Sequence, residues 1–211
     1  MSLKTAARTA SIALLVLALG TFASFPLTAE LTGGWLTPIL AFEFARNPSD
    51  IAFLQGEPGV PLRAAMHAGH RWDAFFPLAY GTLLTIFARR AGAIWAGFGV
   101  LSILFDWTEN RALESILYTL DADQQVGTFH SLMIATSAKW MCIAVASGAI
   151  AWVAKDRWTQ RLGSLLALLV ILTVVFAHPY VAEPMAVCLI AWFSTLVYKS
   201  WSPSDALTEW G

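Results

Sequence analysis

Long apolar runs separated by short polar stretches dominate the chain, and they set the expected architecture. A helix needs about 20 predominantly apolar residues to cross a bilayer core, and six runs approach or reach that length. The expected spans are approximately 10–29, 72–88, 91–110, 130–153, 162–178 and 184–201. The pattern therefore predicts an all-α, polytopic membrane helix bundle of about six transmembrane helices, forming a single integral membrane domain over 1–211.

The first apolar run has two interpretations. Lys4 and Arg8 precede it, and Leu27-Thr28-Ala29 resembles the small-residue cleavage site of a secretory signal peptide. The run is nevertheless long enough for a span. We favour an uncleaved first helix, and five membrane helices remain if the run is removed.

The loop over 30–71 is long, and its pattern predicts short helices near the membrane surface. Trp35–Ala45 is apolar except for Glu43, which is typical of a segment lying in the interface. A short helix is expected to start at Asn47-Pro48-Ser49-Asp50 with Ser49 as its cap. Glu57-Pro58-Gly59 predicts a turn, and Pro61 suits the first position of a further helix ending near His70.

The third apolar run is expected to continue beyond the membrane as an amphipathic helix. Apolar residues recur at helical spacing, and an aspartate then stops the helix. The repeating positions are Leu113, Ile116, Leu117 and Leu120, followed by Asp121 and Asp123.

Composition and charge support a membrane protein and give it an orientation. Only 13% of the residues are charged, against about 25% in average soluble domains. Most Lys and Arg side chains fall at one set of run ends, which the positive-inside rule places in the cytoplasm. These are Lys4, Arg8, Arg89, Arg90, Lys155, Arg157, Arg161 and Lys199. A bacterial inner-membrane protein with both termini cytoplasmic is therefore expected, and no basic run suggests nucleic acid as a partner.

A candidate site lies at the opposite ends of the runs. Asp106, Glu109 and Asn110 stand at i, i+3 and i+4, so they share one face of a helix. Carboxylates at membrane depth are costly and are commonly functional or paired. Lys139 and Tyr80 lie at compatible depths, so we expect Lys139 to pair with Asp106 and Tyr80 to bond to the pair. The alternative is that this pair only fixes helix register.

Histidines provide a second candidate chemistry. His67, His70 and Asp73 are spaced i, i+3 and i+6, and with His130 they form a possible ligand set for Zn²⁺ or another divalent ion. The simpler interpretation is that these are polar residues at helix ends near the headgroups. His130 and Lys139 lie nine residues apart, so they point to opposite sides of a regular helix.

Three segments resemble a group of uncharacterised bacterial multi-pass inner-membrane proteins. They are Phe42-Glu43-Phe44-Ala45-Arg46, Asp73-Ala74-Phe75-Phe76-Pro77-Leu78-Ala79-Tyr80 and Phe105-Asp106-Trp107-Thr108-Glu109-Asn110. The resemblance covers roughly the first 120 residues. It implies a bacterial inner membrane, an outward-facing loop and pairing of these three segments, and it brings no activity.

These features give three functional hypotheses. The first is an outward-facing acidic pocket, lined by Asp73, Tyr80, Asp106, Glu109, Asn110 and Lys139, that binds or processes a lipid or other amphiphile. In its catalytic form Asp106 or Glu109 is the general base or a metal ligand, and Lys139 offsets negative charge. The second is a non-catalytic accessory subunit of a membrane complex, expected to pair its polar residues internally and to keep Asp106 from solvent. The third is a small proton-coupled transporter or a heme or quinone redox protein.

Overall fold

The fold is helical throughout the residues that the structure, a computed structural model, describes: 2–26, 31, 34–124 and 129–202. Within these ranges no β-strand occurs, which confirms the all-α prediction. A 3₁₀ segment, Pro48–Leu54, lies between the second and third helices. The α-helices are α1 (Leu3–Ser24), α2 (Pro38–Glu43), α3 (Gly56–Asp73), α4 (Phe76–Ala88), α5 (Ala93–Asp121), α6 (Phe129–Val153), α7 (Arg157–Phe176) and α8 (Pro179–Trp201).

Four of the described helices, α1, α6, α7 and α8, are long and apolar enough to cross a membrane. Helix α4 is apolar but has 13 residues, fewer than the roughly 20 of a typical span. Helix α5 has 29 residues, but its second half carries charged side chains that include Asp106 and Glu109. The structure therefore shows a helical protein with four candidate membrane spans among the described residues.

Six of the described helices form a closed ring of contacts. Each of them packs against the next in the order α1, α4, α5, α6, α7, α8, and α8 returns to α1. Helix α2 contacts α5, α6 and α8, so it lies across one end of this ring. Helix α3 packs on α1, α4 and α5.

The two ends of the ring differ in charge. At the end that we call the basic end, Arg8 donates to the backbone oxygen of Ser200 at 3.3 Å, and Lys199 pairs with Asp156 at 2.7 Å. The opposite, acidic end holds α2, the 3₁₀ segment and α3. There a carboxylate oxygen of Glu183, on α8, accepts bonds from the backbone nitrogens of Leu36 and Thr37 at 2.9 and 2.8 Å, which holds the start of α2.

The segments at the acidic end form a packed layer with their own apolar core. Phe42, Ile51, Leu54 and Met66 are fully buried against the last turns of α5 and the first turns of α6. Helix α5 continues without a break to Asp121, as the spacing predicted, and it buries the periodic residues. These residues are Leu113, Ile116, Leu117 and Leu120.

The turn and the cap predicted in the loop are wrong. Glu57-Pro58-Gly59 lies in the first turn of α3, where the missing N–H of a proline costs no intrahelical bond. The 3₁₀ segment is capped by Asn47, whose side chain accepts from the backbone nitrogen of Ser49 at 3.1 Å. The Asn-Pro pair therefore marks the cap and first position, and Ser49 lies inside the segment.

A short break separates α3 from α4, the helix of the second expected span. Helix α3 ends at Asp73 and α4 begins at Phe76, because Pro77 cannot donate a backbone bond to the turn before it. The indole nitrogen of Trp107, on α5, donates to the backbone oxygen of Ala74 at 2.9 Å and so satisfies a carbonyl at the break. Helix α3 instead continues through Gly69, whose missing side chain leaves space for the ring of Phe25.

The other expected boundaries shift by a few residues. The predicted span 10–29 corresponds to α1, Leu3–Ser24, and 27–29 lies outside the described residues. The spans expected at 162–178 and 184–201 are α7, Arg157–Phe176, and α8, Pro179–Trp201. Pro184 lies inside α8, where it does not end the helix.

Candidate functional site

A buried lysine forms the centre of the polar site. The ammonium of Lys139, on α6, donates a close hydrogen bond to Glu109 of α5 and a second bond of 3.1 Å to Glu43 of α2. Lys139 is 4% exposed and Glu109 is 1% exposed. Because α2 lies across the ring end, the interaction with Glu43 joins this helix to the interior of the bundle.

Further contacts hold the Glu43 end of α2. The indole nitrogen of Trp140 donates to the same carboxylate oxygen of Glu43 at 3.3 Å, and the hydroxyl of Thr136 donates to the Glu43 backbone oxygen at 3.2 Å. The Lys139 ammonium also lies 4.8 Å from the centre of the Trp140 ring, within cation–π range. One face of α6 therefore anchors the end of α2.

Helix α5 carries another carboxylate, Asp106, about one turn before Glu109 and so nearer the basic end. The Tyr80 hydroxyl, on α4, donates to one oxygen of Asp106 at 2.7 Å, and the Asn110 amide donates to the other at 3.1 Å. Asp106 is 5% exposed and Tyr80 is 3% exposed. The charge of Asp106 is thus partnered by neutral donors.

Asp73, the last residue of α3, lies at the rim of these groups. It is partly exposed, it interacts with Asn110 by a side-chain hydrogen bond, and it lies close enough to Lys139 and Glu43 to interact with their charges. We call the whole set the acidic cluster. It comprises Glu43, Asp73, Tyr80, Asp106, Glu109, Asn110 and Lys139.

Charge in the acidic cluster is unbalanced. Four carboxyl groups surround one ammonium, and the second carboxylate oxygen of Glu109 is buried without a hydrogen-bond partner. An uncompensated charge or an unpaired polar atom is costly in a low-dielectric interior. A proton or another donor at the unpaired oxygen of Glu109 would reduce this cost.

The sequence-predicted pairing of Lys139 with Asp106 is wrong in its partner. Side chains on a helix tilt towards its N-terminus, and the N-terminus of α6 lies at the acidic end. The Lys139 ammonium therefore reaches towards Glu109, which is nearer that end than Asp106. Tyr80 contacts Asp106 without contacting the ion pair directly.

The histidines of α3 belong to a separate group at the surface. The two ring nitrogens of His67 bond to Glu114 at 2.9 Å and to Asp121 at 3.1 Å, and His70 bonds to the other Glu114 oxygen at 2.8 Å. Arg63 bonds to Asp121 at 2.6 Å. We call Arg63, His67, His70, Glu114 and Asp121 the surface clasp, because it joins α3 to α5.

Hydrogen bonding sets the protonation of both acids in the clasp. Burial alone would raise the pKa of Glu114, but bonds from His70 and His67 together lower it below its usual value. The bond from Arg63 to Asp121 is the largest cause of the lowered pKa of that carboxyl. Both acids are therefore held in the ionised form.

The predicted metal ligands do not assemble. His67 and His70 face the acids of the clasp, Asp73 joins the acidic cluster, and His130 is exposed on the first turn of α6. Among the residues that the structure describes, no group of three or more His, Cys, Asp or Glu side chains is arranged to hold a metal ion. Asp73 lies in the same helix as the two histidines, but six residues place it about 120° around the helix from His67, so it faces the cluster instead.

Three acidic residues of these groups, Glu43, Glu114 and Asp121, were not among the predicted site residues. Glu43 had a usable signal, because it is the one charged residue in the apolar stretch Trp35–Ala45. Glu114 and Asp121 follow Asn110 at helical spacing on α5, so the polar face of that helix could have been extended.

Comparison with protein-family models, curated proteins and solved structures finds no match. The resemblance to uncharacterised bacterial membrane proteins stays a prediction. Any function must therefore be argued from the geometry of the two polar groups.

Proposed function

We propose that the protein is a proton-linked membrane protein, in which a proton held in the acidic cluster controls the position of α2. The observation that carries the proposal is the buried, unpaired oxygen of Glu109 among four carboxyl groups and one ammonium. A proton there would reduce the cost of the unpaired oxygen, and it needs only one oxygen atom. A metal ion needs several converging ligands, and the described residues do not offer such a group.

The contacts of α2 support a link between protonation and movement. One end of this six-residue helix is held by the ion pair of Glu43 with Lys139, and the other end by the bonds to Glu183. The groups that face the pair come from every surrounding element: Asp73 of α3, Tyr80 of α4, and Asp106 and Glu109 of α5. Neutralising Glu43, as the substitution Glu43→Gln does, removes one attraction that holds α2 across the ring.

Release of α2 would produce the outward pocket expected from the sequence. In the structure Asp106 is 5% exposed and the polar side chains bond to one another. We propose that this is the closed state. Movement of α2 then exposes Lys139, Glu109 and Asp106 to a polar or amphiphilic ligand at the membrane surface.

We also propose six spans in a bacterial inner membrane, with the acidic end outward and both termini cytoplasmic. Helices α4 and α5 would complete the ring in the bilayer, since the closed ring has no place for lipid between its members. The distribution of Lys and Arg supports this orientation. A reporter that works only in the cytoplasm should be active when it is fused to the C-terminus. Activity of a reporter that works only in the periplasm would contradict the topology.

Infrared difference spectroscopy tests for the buried proton. Raising the pH of wild-type protein in nanodiscs should remove a carbonyl stretching band of a protonated carboxyl group. Glu109→Gln or Asp106→Asn should remove or shift this band, whereas Glu57→Gln, on an exposed acid, should leave it unchanged. Spectra of wild type without any protonated-carboxyl band at acidic pH would refute the proposal.

Thiol labelling tests the response of α2. Ala45, two residues beyond Glu43, is 1% exposed, and Ala45→Cys can be introduced where Cys142 and Cys188 are Ala. Labelling should be faster at acidic than at neutral pH, and adding Glu43→Gln should make it fast at both. Equal rates at both pH values, with no effect of Glu43→Gln, would show that α2 does not respond.

A non-catalytic accessory subunit is the second candidate. It is favoured by the internal pairing of Tyr80 with Asp106 and of Lys139 with Glu109, together with the low exposure of Asp106. If this candidate is correct, the protein should co-migrate with a membrane complex in native electrophoresis. Labelling of Ala45→Cys should then not depend on pH.

A further inference from the structure

A cavity lies at the acidic end, outside the acidic cluster. It has a volume of about 240 Å³ and lies between the segment around α2 and the C-terminal end of α7. Its lining includes Trp35, Phe44, Arg46, Asp50 and Phe176. None of these residues belongs to the cluster or to the surface clasp, so this site can be tested independently of proton linkage.

The polar side of this cavity offers positive charge. Arg46 is exposed, and in the described part of the chain its guanidinium forms no ion pair. Asp50 lines the same cavity, but one of its carboxylate oxygens accepts from the backbone nitrogens of Arg46 and Asn47 at 2.8 and 3.1 Å. These bonds hold one oxygen of Asp50 at the cap of the 3₁₀ segment, and Arg46 supplies the side-chain donors on the polar side of the cavity.

The other side of the cavity is aromatic. The rings of Trp35 and Phe44 stack with centroids 6.1 Å apart and planes 11° from parallel, and Phe44 stacks in turn on Trp140 at 6.3 Å. Tryptophan is enriched at the level of the lipid headgroups. An aromatic wall beside a free guanidinium suits a ligand with an anionic end and an apolar end.

An exposed apolar row leads away from the cavity along α7. Val175, next to the cavity residue Phe176, is 62% exposed, and it is followed towards the basic end by Ile171 and Leu168 at 42% and 53%. These positions share one side of the helix, so an alkyl chain that starts at the cavity can lie along them. The cavity itself is smaller than the roughly 300–1,000 Å³ of sites that enclose a whole ligand.

We propose that the cavity binds the phosphate headgroup of an anionic phospholipid from the same leaflet. Arg46 pairs with the phosphate oxygens, the rings of Trp35 and Phe44 cover the glycerol region, and an acyl chain follows Val175 and Ile171 along α7. The volume fits a headgroup and excludes the chains. Free phosphate is also an anion that can bind Arg46, but it has no apolar part to contact the row on α7.

Titration of the full-length, detergent-purified protein with dioctanoyl phosphatidylglycerol tests the site by calorimetry. Arg46→Gln should weaken binding about tenfold, the loss expected for a charge-assisted hydrogen bond. Arg71→Gln, on an exposed arginine of α3, is the matched control and should bind like wild type. Equal loss in the two variants, or no loss in either, would overturn the proposal.

A second arm distinguishes a lipid from free phosphate. Ile171→Ser lies on an exposed position and should keep the fold while weakening phosphatidylglycerol binding. Inorganic phosphate should bind far more weakly than the lipid and be indifferent to Ile171→Ser. Phosphate binding as tight as lipid binding, with no effect of Ile171→Ser, would show that the site takes a free anion and would overturn the lipid assignment.

Discussion

The acidic cluster and the surface clasp lie on the same helix, α5, and they handle charge in opposite ways. In the clasp, Arg63, His67 and His70 face Glu114 and Asp121, so donors are plentiful and part of the group is exposed. In the cluster, Glu43 and Glu109 share the ammonium of Lys139 inside the bundle, and Asp73 and Asp106 lie near it without a bond to a cation. Each of the two acids in the clasp bonds to two nitrogen-bearing side chains, whereas the four acids of the cluster lie around a single ammonium.

This difference separates a structural role from a functional one. A balanced, partly exposed network stabilises the contact between α3 and α5 modestly and needs no ligand. An unbalanced, buried network is costly to maintain. Because the bundle nevertheless contains such a network, we propose that the proton is bound in the cluster and not in the clasp.

Loss of the central ammonium should have the largest effect. Lys139→Met keeps similar volume but leaves Glu43 and Glu109 without their cation, and breaking a buried ion pair costs about 3–5 kcal/mol. Equilibrium unfolding in mixed micelles measures this change. Lys155→Met, on an exposed lysine near the basic end, should change stability by less than about 0.5 kcal/mol.

Similar losses for Lys139→Met and Lys155→Met would contradict the comparison. They would mean that the acids of the cluster do not depend on the ammonium for their charge balance. The acidic cluster would then resemble the clasp in its energetics.

The sequence predicted the helical membrane class of the protein, but it predicted only some of the contacts in the acidic cluster. Apolar length and charge distribution predicted a helical membrane protein, and helical spacing brought Asp106, Glu109 and Asn110 to one face. The partner of Lys139 was mispredicted because depth was counted along the helix axis. The N-terminal tilt of the side chain, which favours Glu109, was left out.

Other parts of the site depend on tertiary structure. The position of Glu43 follows from α2 folding back over the ring, where it packs on α5, α6 and α8, and a six-residue helix carries no local signal for that placement. The break between Asp73 and Phe76 was recognisable from Pro77. The contact of Asp73 with the cluster depends on how α3 packs on α5, which no local pattern indicates.

Disturbing the close packing of α4 on α5 should cause the next largest loss of stability. A side-chain carbon added at Gly99 would lie 2.6 Å from the backbone nitrogen of Thr85, whereas nothing lies within 4 Å of one added at Gly97. These two helices carry Tyr80 and Asp106. Gly99→Ala should therefore destabilise the protein by about 1–3 kcal/mol, measured by the same unfolding assay.

Gly97→Ala provides the matched control on the same helix. It should be neutral or slightly stabilising, because alanine has the higher helix propensity and meets no neighbour here. If both variants lose the same stability, helix packing at Gly99 does not set the distance between Tyr80 and Asp106. The cluster would then be positioned by its hydrogen bonds alone.

The clasp should show the smallest effect, and its dependence on pH has a definite sign. The pKa of Glu114 lies below the ordinary 4.5 and that of Asp121 below the ordinary 3.8. A carboxyl group with a lowered folded-state pKa stabilises the fold above its unfolded-state pKa, and this stabilisation is lost as the pH falls through the folded-state value. Because the clasp is partly exposed, we expect it to contribute about 1 kcal/mol.

Unfolding free energies measured from neutral pH down to below the ordinary pKa of aspartate test this prediction. The double variant Glu114→Gln/Asp121→Asn should start less stable than wild type and lose less on acidification, while Glu57→Gln should follow wild type. An unchanged acid slope in the double variant would remove the clasp from the charge balance of the fold. The acid response would then have to come from other groups, and the contrast with the acidic cluster would no longer hold.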